Sequence, residues 1–155
     1  MTAADSLSKG KTLLIVEDEI LPAMSLRDEL TQAGYDVMDL VDNCEAALAA
    51  TRELAPDLAL VNIRLHGQDD GIELARRLKA MGVPVLFISG QVTRARSEKS
   101  VAIGSLPKPY RASDMVKAVD YLLLHLAGDE LPPLPPGLEV FADSGEDLAT
   151  EKPAA

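Results

Sequence analysis

Five short aliphatic segments, separated by stretches with helical periodicity, restrict the fold of this chain more than any other feature. They cover residues 12–16, 36–41, 57–61, 84–88 and about 104–107. Most consist almost wholly of Val, Ile and Leu, a composition typical of strands that are buried on both faces of a helix-covered parallel sheet. The segment 36–41 instead alternates apolar and polar residues, which indicates a half-covered edge strand. The sequence therefore predicts a doubly wound α/β domain with a five-stranded parallel sheet.

Helical patterns fill the connections between these strands. Pro22 falls in the first turn of the first helix, where its missing N–H is harmless, and Gly34 follows that helix as a stop signal. Asn43 is placed to cap the second helix, and Gly82 ends the third. The predicted helices cover residues 20–33, 44–54, 71–81, 92–102 and 113–127, of which the fourth is weakly helical, charged and short for its place in the fold.

The chain is expected to form one domain with an extension at each end. We place an N-terminal extension at residues 1–10, the domain at 11–127 and a proline-rich acidic tail at 128–155. The tail carries −6 of the net charge of −10, and its prolines at 131–137 predict a polyproline II segment. The apolar stretch 138–141 either docks on the domain or a partner, or is an incidental patch in a disordered extension. The composition of the tail favours the second alternative.

The composition also argues against several classes of protein. An acidic chain without a basic stripe does not favour nucleic-acid binding, because phosphate contacts supply most of that affinity. The sequence has no apolar run of membrane-spanning length and no hydrophobic stretch of signal-peptide type near residue 1. A single cysteine, Cys44, cannot form an internal disulfide, which fits a reducing compartment. We therefore expect a cytoplasmic protein that binds neither nucleic acid nor membrane.

Polar residues follow four of the predicted strands, at the sheet edge where doubly wound folds bind ligands. Glu17 and Asp18 follow the first strand, and Asn62, Ser89 and Lys108 follow the third, fourth and fifth. Paired carboxylates repel each other unless a cation lies between them, and all-oxygen ligands suit Mg²⁺. A hydroxyl, an ammonium group and Mg²⁺ around one centre provide the charge stabilisation that a phosphoryl group needs. The strand ends therefore predict a Mg²⁺-dependent phosphoryl site.

The chain resembles the receiver domains of two-component response regulators. The resemblance implies a flavodoxin-like strand order, 2-1-3-4-5, and a site at which an acidic pair binds Mg²⁺ and a strand-end aspartate takes a phosphoryl group from a histidine kinase. It rests on five motifs in the family's order and spacing, which are Leu-Leu-Ile-Val-Glu-Asp-Glu at 13–19, Pro-Asp-Leu-Ala-Leu-Val at 56–61, Asp-Gly-Ile-Glu-Leu-Ala at 70–75, Pro-Val-Leu-Phe-Ile-Ser-Gly at 84–90 and Leu-Pro-Lys-Pro-Tyr at 106–110.

Carried over to this chain, the resemblance gives Glu17 and Asp18 the role of metal-binding acids. The backbone carbonyl of Arg64 and the side chain at position 62 would be further ligands. Asn62 stands at the phosphoacceptor position, where the family has aspartate. An amide oxygen is a poor nucleophile, so we expect no acyl phosphate at this residue. The loss of one negative charge is also expected to weaken Mg²⁺ binding without abolishing it.

On the other side of the site, the resemblance implies a hydroxyl group and an amine. By resemblance, Ser89 is the switch hydroxyl, Lys108 is the amine that contacts the phosphoryl oxygens, and Pro109 is a candidate for a cis peptide bond. A second departure is Ser105, which stands where many receivers carry an aromatic switch residue. The usual coupling between hydroxyl and aromatic ring is therefore in doubt for this chain.

Asn62 has two possible origins. It is either the natural residue of a pseudo-receiver with a fixed output, or an Asp→Asn replacement that keeps the unphosphorylated state. The neighbouring motifs, including Ser89 and Lys108, are intact although they have little use without a phosphoryl group. That favours the replacement, and the sequence leaves both origins open.

Two residues outside these motifs have weaker claims to a role. His66 lies in the loop after Asn62, and a lone loop histidine is more often solvated than catalytic. Cys44 begins a predicted helix, where a thiol pKa can be lowered, but a small packing residue is the favoured interpretation.

The expected function is that of a stand-alone receiver in a phosphorelay. Its expected partners are a sensor histidine kinase or phosphotransfer protein and a downstream protein, and a homodimer is a further possibility. The alternative is a Mg²⁺-dependent phosphotransfer or phosphatase-type enzyme on a similar fold. Such enzymes with an aspartate nucleophile need a carboxylate where Asn62 stands, and a nucleotide-binding protein needs a glycine-rich loop after the first strand. We therefore do not expect an enzyme.

Overall fold

The structure is a computed structural model that describes residues 10–65, 67, 69–90 and 92–141. The predicted N-terminal extension as far as residue 9, His66 and the tail from residue 142 lie outside the described residues. The strands are β1 (Thr12–Val16), β2 (Asp36–Val41), β3 (Leu58–Asn62), β4 (Val85–Ser89), β5 (Gly104–Pro107) and β6 (Glu139–Val140). The helices are α1 (Ile20–Gln32), α2 (Cys44–Glu53), α3 (Gly71–Ala80), α4 (Val92–Ser97) and α5 (Ala112–Ala127).

The described strands form a single sheet in the order β2-β1-β3-β4-β5-β6. The first five are parallel to one another, which confirms the doubly wound 2-1-3-4-5 arrangement. β6 pairs antiparallel with β5, so the sheet has one strand more than the sequence predicted. The added strand comes from the apolar stretch 138–141 of the tail, so the favoured interpretation of this stretch as an incidental patch is wrong. Its Leu138 and Phe141 are buried, and this burial favours pairing with the otherwise open edge of β5.

The sheet is buried on both faces, as its aliphatic strands predicted. Leu14 and Val16 of β1 belong to a core cluster that also contains residues of α2, α3 and α4. Leu13 and Ile15 point the other way, into a cluster shared with α1 and α5. This alternation follows from the period of two in a strand. The two helical layers leave the carboxyl ends of the strands open, and the polar residues gather there.

Two helices differ from their predicted description. α4 ends at Ser97 instead of continuing to residue 102, because Val101 and Ala102 turn inward and are buried in the core. α5 begins at Ala112, one residue before its predicted start, and its Leu122 and Leu124 are buried. None of the helices in the residues described above has both the length and the apolarity needed to cross a membrane.

The second helix begins at a side-chain cap that the sequence predicted. The side chain of Asn43 accepts a hydrogen bond of 2.8 Å from the backbone N–H of Ala46. Replacing this residue in Asn43→Ala removes the acceptor and is expected to lower the free energy of unfolding by about 1 kcal/mol. Urea unfolding followed by circular dichroism measures the loss. Asn43→Ser retains a capping oxygen, so an equal loss in that variant would contradict the capping role.

Candidate functional site

The polar residues predicted at four strand ends do meet at one edge of the sheet. They surround an open cavity of about 450 Å³ at the carboxyl ends of β1, β3, β4 and β5. Glu17, Asn62 and Ser89 are buried, whereas Asp18 and Lys108 are half-buried. The lining residues are Asp18, Glu19, Asn62, Arg64, Ser89, Gly90 and Lys108.

Asn62 makes the most informative contacts in this cavity. Its amide nitrogen Nδ2 lies 3.2 Å from Glu17 Oε2, 3.3 Å from Asp18 Oδ1 and 2.7 Å from the backbone oxygen of Arg64. The opposite orientation of the amide would set Oδ1, which can only accept hydrogen bonds, against three oxygens. The Asn62 side chain therefore donates hydrogen bonds to the group of oxygens that the resemblance assigns to a metal ion.

Lys108 approaches the same group of oxygens from β5. Its Nζ lies 3.4 Å from Glu17 Oε1, and its backbone N–H donates to the carbonyl of Ser89 at 2.9 Å. The following Lys108–Pro109 peptide bond is cis, as the resemblance implied. Because Lys108 is fixed to the end of β4 through its backbone, its ammonium group faces the acids of β1 across the cavity.

The environment of the cavity shifts the pKa of Glu17. Burial raises its pKa, and a hydrogen bond with the carboxyl group of Asp18 raises it further, whereas the positive charge of Lys108 acts in the opposite direction. A buried carboxylate beside a second acid is costly unless positive charge or hydrogen-bond donors compensate it. Here the Asn62 amide and the Lys108 ammonium group provide that compensation.

The groups that could bind Mg²⁺ show whether the site, in its present arrangement, fits the ion. Two carboxylates and a backbone carbonyl are suitable oxygen ligands. The Asn62 amide nitrogen, however, is directed at all three of them, and an N–H donor cannot bind a cation. In the described part of the chain, no three His, Cys, Asp or Glu side chains are grouped as a metal site. With the amide in this orientation, the arrangement does not fit the ion.

Ser89 and Ser105 occupy the positions that the sequence gave to the hydroxyl and to the missing aromatic residue. Both side chains are buried. Ser89 ends β4 next to Pro107 of β5 and lines the cavity. Ser105 pairs with Phe87 on one side and with Glu139 of β6 on the other. The tail strand therefore pairs directly with position 105, where the resemblance implies an aromatic residue in many receivers.

Sequence reasoning gave no role to Gly71, which shapes the site from the first residue of α3. A Cβ atom there would lie 2.2 Å from the backbone oxygen of Asn62 and 2.7 Å from Cα of Ile63. The backbone N–H of Gly71 also donates to the carbonyl of Ile63 at 2.8 Å. Asp70 caps α3 through Ile72 N–H at 3.0 Å. The Asp-Gly pair in the third motif was the available signal for this close approach.

The surroundings of Cys44 indicate which of its two possible roles applies. Its Sγ lies 3.7 Å from the backbone oxygen of Asp70, and burial raises the pKa of its thiol. A raised pKa reduces the thiolate fraction. The structure therefore supports the packing role that the sequence favoured and not an activated thiol.

Comparison with known proteins identifies the family to which this chain belongs. The model of the response regulator receiver domain matches residues 13–120, which include the four strand ends of the site. The chain belongs to this family of two-component signalling proteins.

Individual relatives show how much of a longer protein the chain corresponds to. It is 29% identical over 136 residues to the phosphate regulon transcriptional regulatory protein PhoB of Pseudomonas aeruginosa, covering 83% of this chain and 58% of that protein. It is 27% identical over 116 residues to the chemotaxis protein CheY of Thermotoga maritima, covering 72% of this chain and 96% of that protein. The chain thus spans little more than half of the first relative and nearly all of the second.

A solved structure supports the same assignment. The signal receiver domain of a modulated diguanylate cyclase from Desulfovibrio desulfuricans G20 is 36% identical to this chain. The match has a TM-score of 0.66 and covers 77% of this chain and 98% of that domain. At this similarity, the sheet order and the position of the site at its carboxyl edge are those of a receiver domain.

Proposed function

We propose that this chain is a receiver that signals through protein contacts without taking a phosphoryl group at position 62. The observation that carries the proposal is the direction of the Asn62 amide, whose nitrogen donates to Glu17, Asp18 and the Arg64 carbonyl. A carboxylate at this position could attack phosphorus, whereas an amide oxygen is a poor nucleophile. The receiver architecture would then present one fixed state to its partners instead of switching between two.

We further propose that Mg²⁺ binds weakly. The ion needs the oxygens that now accept hydrogen bonds from Asn62, and the site has one negative charge less than a site with three carboxylates. Binding would require the amide to rotate until Oδ1 faces the ion, at the cost of those hydrogen bonds. The ammonium group of Lys108 near Glu17 opposes the cation as well.

The proposed role does not include turnover. A Mg²⁺-dependent phosphotransfer or phosphatase-type enzyme needs a nucleophile at the strand end, and Asn62 does not provide one. The enzymatic alternative is therefore the weaker of the two.

Receiver domains interact with sensor histidine kinases or phosphotransfer proteins and with downstream protein partners. For this chain we propose that the first of these contacts is retained next to the site. Ile20, Leu21 and Met24 at the start of α1 are 69%, 76% and 39% exposed, an unusual grouping of large apolar side chains on a surface. α1 begins directly after the Asp18–Glu19 rim of the cavity, so a partner that contacts these residues also covers the site.

Several finer features remain predictions. We propose a cytoplasmic location, because a single cysteine, which cannot form an internal disulfide, fits a reducing compartment. The acidic charge of the chain, −10, continues to argue against nucleic-acid binding. A homodimer is likewise a prediction. The origin of Asn62 would be decided by reading codon 62 in the source gene.

Intact-mass measurement tests the proposed state of position 62. The chain and its Asn62→Asp variant are incubated with acetyl phosphate and Mg²⁺. We expect an adduct of about 80 Da, one phosphoryl group, on the aspartate variant and none on the chain with Asn62, because only the carboxylate is nucleophilic.

A matched variant separates the site from the rest of the surface. Asn43→Asp makes the same chemical change at the cap of α2, at a residue that does not line the cavity, and is expected to remain unmodified. An adduct on the original chain that peptide mapping assigns to Asn62 would overturn the proposal. Absence of the adduct from Asn62→Asp would show that the site lacks receiver chemistry for a reason other than its nucleophile.

A further inference from the structure

The tail returns to the sheet after its proline-rich segment. Glu139 and Val140 pair antiparallel with Ser105 and Gly104, and the N–H of Phe141 donates to the carbonyl of Ile103 at 2.8 Å. The residues at the two ends of this short strand are buried, Leu138 to 4% exposure and Phe141 to 5%. An incidental patch would leave these two large side chains in water, so the pairing is a packed contact.

The edge of β5 is shaped to receive this strand. Gly104 has no side chain, and a Cβ atom at that position would lie 2.6 Å from the backbone oxygen of Glu139. Glycine inside a strand often marks a place where another backbone approaches closely. Here the approaching backbone belongs to the chain's own tail. Any other residue at position 104 would push β6 away from the edge.

The same strand contacts α4. Glu139 Oε1 accepts a hydrogen bond of 2.8 Å from Arg96 Nε, and Phe141 belongs to the core cluster that contains Ala95 of α4 and Val101 and Ala102 of the following turn. α4 has only six residues, which is too short to be stable without packing. The tail strand therefore stabilises both the edge of β5 and the segment 92–102.

We propose that the edge of β5 is a strand-binding surface that the chain closes with its own residues 138–141, and that this strap fixes α4 against the sheet. An uncovered β5 would expose unpaired backbone groups that can pair with a strand of another chain. With the strap in place, an extended strand from a partner must first displace residues 138–141. Displacement would at the same time release α4, which begins three residues after Ser89. This inference concerns the β5 edge and is independent of the chemistry at position 62.

Hydrogen–deuterium exchange of the full chain tests the strap through two unrelated disruptions. Leu138→Ser removes a buried anchor, and Gly104→Ala removes the space for Glu139. In each variant we expect exchange in peptides covering 138–141 and 92–102 to accelerate roughly tenfold or more, because losing one buried Leu side chain shifts an opening equilibrium by at least that factor. Peptides from β1 and β3 are expected to keep their protection, which shows that the domain is folded.

Two matched controls make the same chemical changes where no strap contact exists. Leu131→Ser lies in the same tail but replaces a residue that is 40% exposed, and Gly90→Ala adds a Cβ with nothing within 4 Å. Neither is expected to accelerate exchange in 138–141 or 92–102. The strap is overturned if residues 139–141 of the original chain exchange at unprotected rates. It is also overturned if both disruptions loosen 138–141 while 92–102 is unchanged.

Discussion

In metal-free buffer, Asn62→Asp is expected to unfold at a lower urea concentration than the original chain. The variant places a third carboxylate within 3.2–3.3 Å of Glu17 and Asp18 and removes the N–H donors that now satisfy them. Lost hydrogen bonds to charged groups and the new repulsion together are expected to lower the free energy of unfolding by about 2–4 kcal/mol. Saturating Mg²⁺ should restore most of that loss, since a ligand that binds only the folded state stabilises it.

The original chain is the reference for the metal response. Its unfolding midpoint is expected to be nearly the same in EDTA and in Mg²⁺, because the Asn62 amide already satisfies the oxygens that the ion would need. Asn43→Asp, at a half-buried helix cap, controls for the added charge and is expected to show no metal response either. If Mg²⁺ stabilised the original chain and Asn62→Asp equally, the proposal that the Asn62 amide obstructs Mg²⁺ binding would be contradicted.

The position of the site could be predicted from the sequence because it follows from topology. Aliphatic strands connected by helices place their carboxyl ends at one edge of a parallel sheet, so Glu17, Asn62, Ser89 and Lys108 had to come together. No side-chain geometry was needed for that step. The motifs around these residues then identified the family.

The direction of the Asn62 amide could not be predicted in the same way. The sequence predicts that position 62 lacks a nucleophile, which is an argument about residue type. The amide nitrogen lies among Glu17, Asp18 and the Arg64 carbonyl at distances of about 3 Å. These distances exist only once β1 and β3 are adjacent in the sheet. The structure thus changes the expectation from a site that lacks one charge to a site whose acids are already satisfied.

The tail strand was missed for a different reason. Composition favoured disorder in the tail, because proline and acidic residues dominate it, and four residues are too few for a periodicity signal. The decisive information lies in two distant places, the apolar residues of 138–141 and the glycine at 104. A glycine in a predicted edge strand followed by a late apolar stretch is the signal that could have joined them.

Gly71→Ala is expected to destabilise the chain by about 3 kcal/mol or more, although alanine is the better helix former by about 1 kcal/mol. The added Cβ would lie 2.2 Å from the backbone oxygen of Asn62, 2.7 Å from Ile63 Cα and 2.9 Å from the Ile63 oxygen. All three atoms belong to backbone at the end of β3, which cannot rotate away as a side chain can, so the steric cost exceeds the gain in helix propensity. Urea unfolding of both proteins measures the difference.

The same substitution is expected to disturb the site, because the clash displaces the residue that carries the amide. The side-chain NH₂ resonances of Asn62 should shift in a heteronuclear NMR spectrum of Gly71→Ala, whereas those of Asn43 should not. Gly90→Ala is the matched control, since its Cβ meets nothing within 4 Å, and its stability is expected to remain within about 1 kcal/mol of the original. If Gly71→Ala were as stable as Gly90→Ala, the end of β3 would be able to move away from α3. The geometry of the Asn62 contacts would then depend on something other than this close approach.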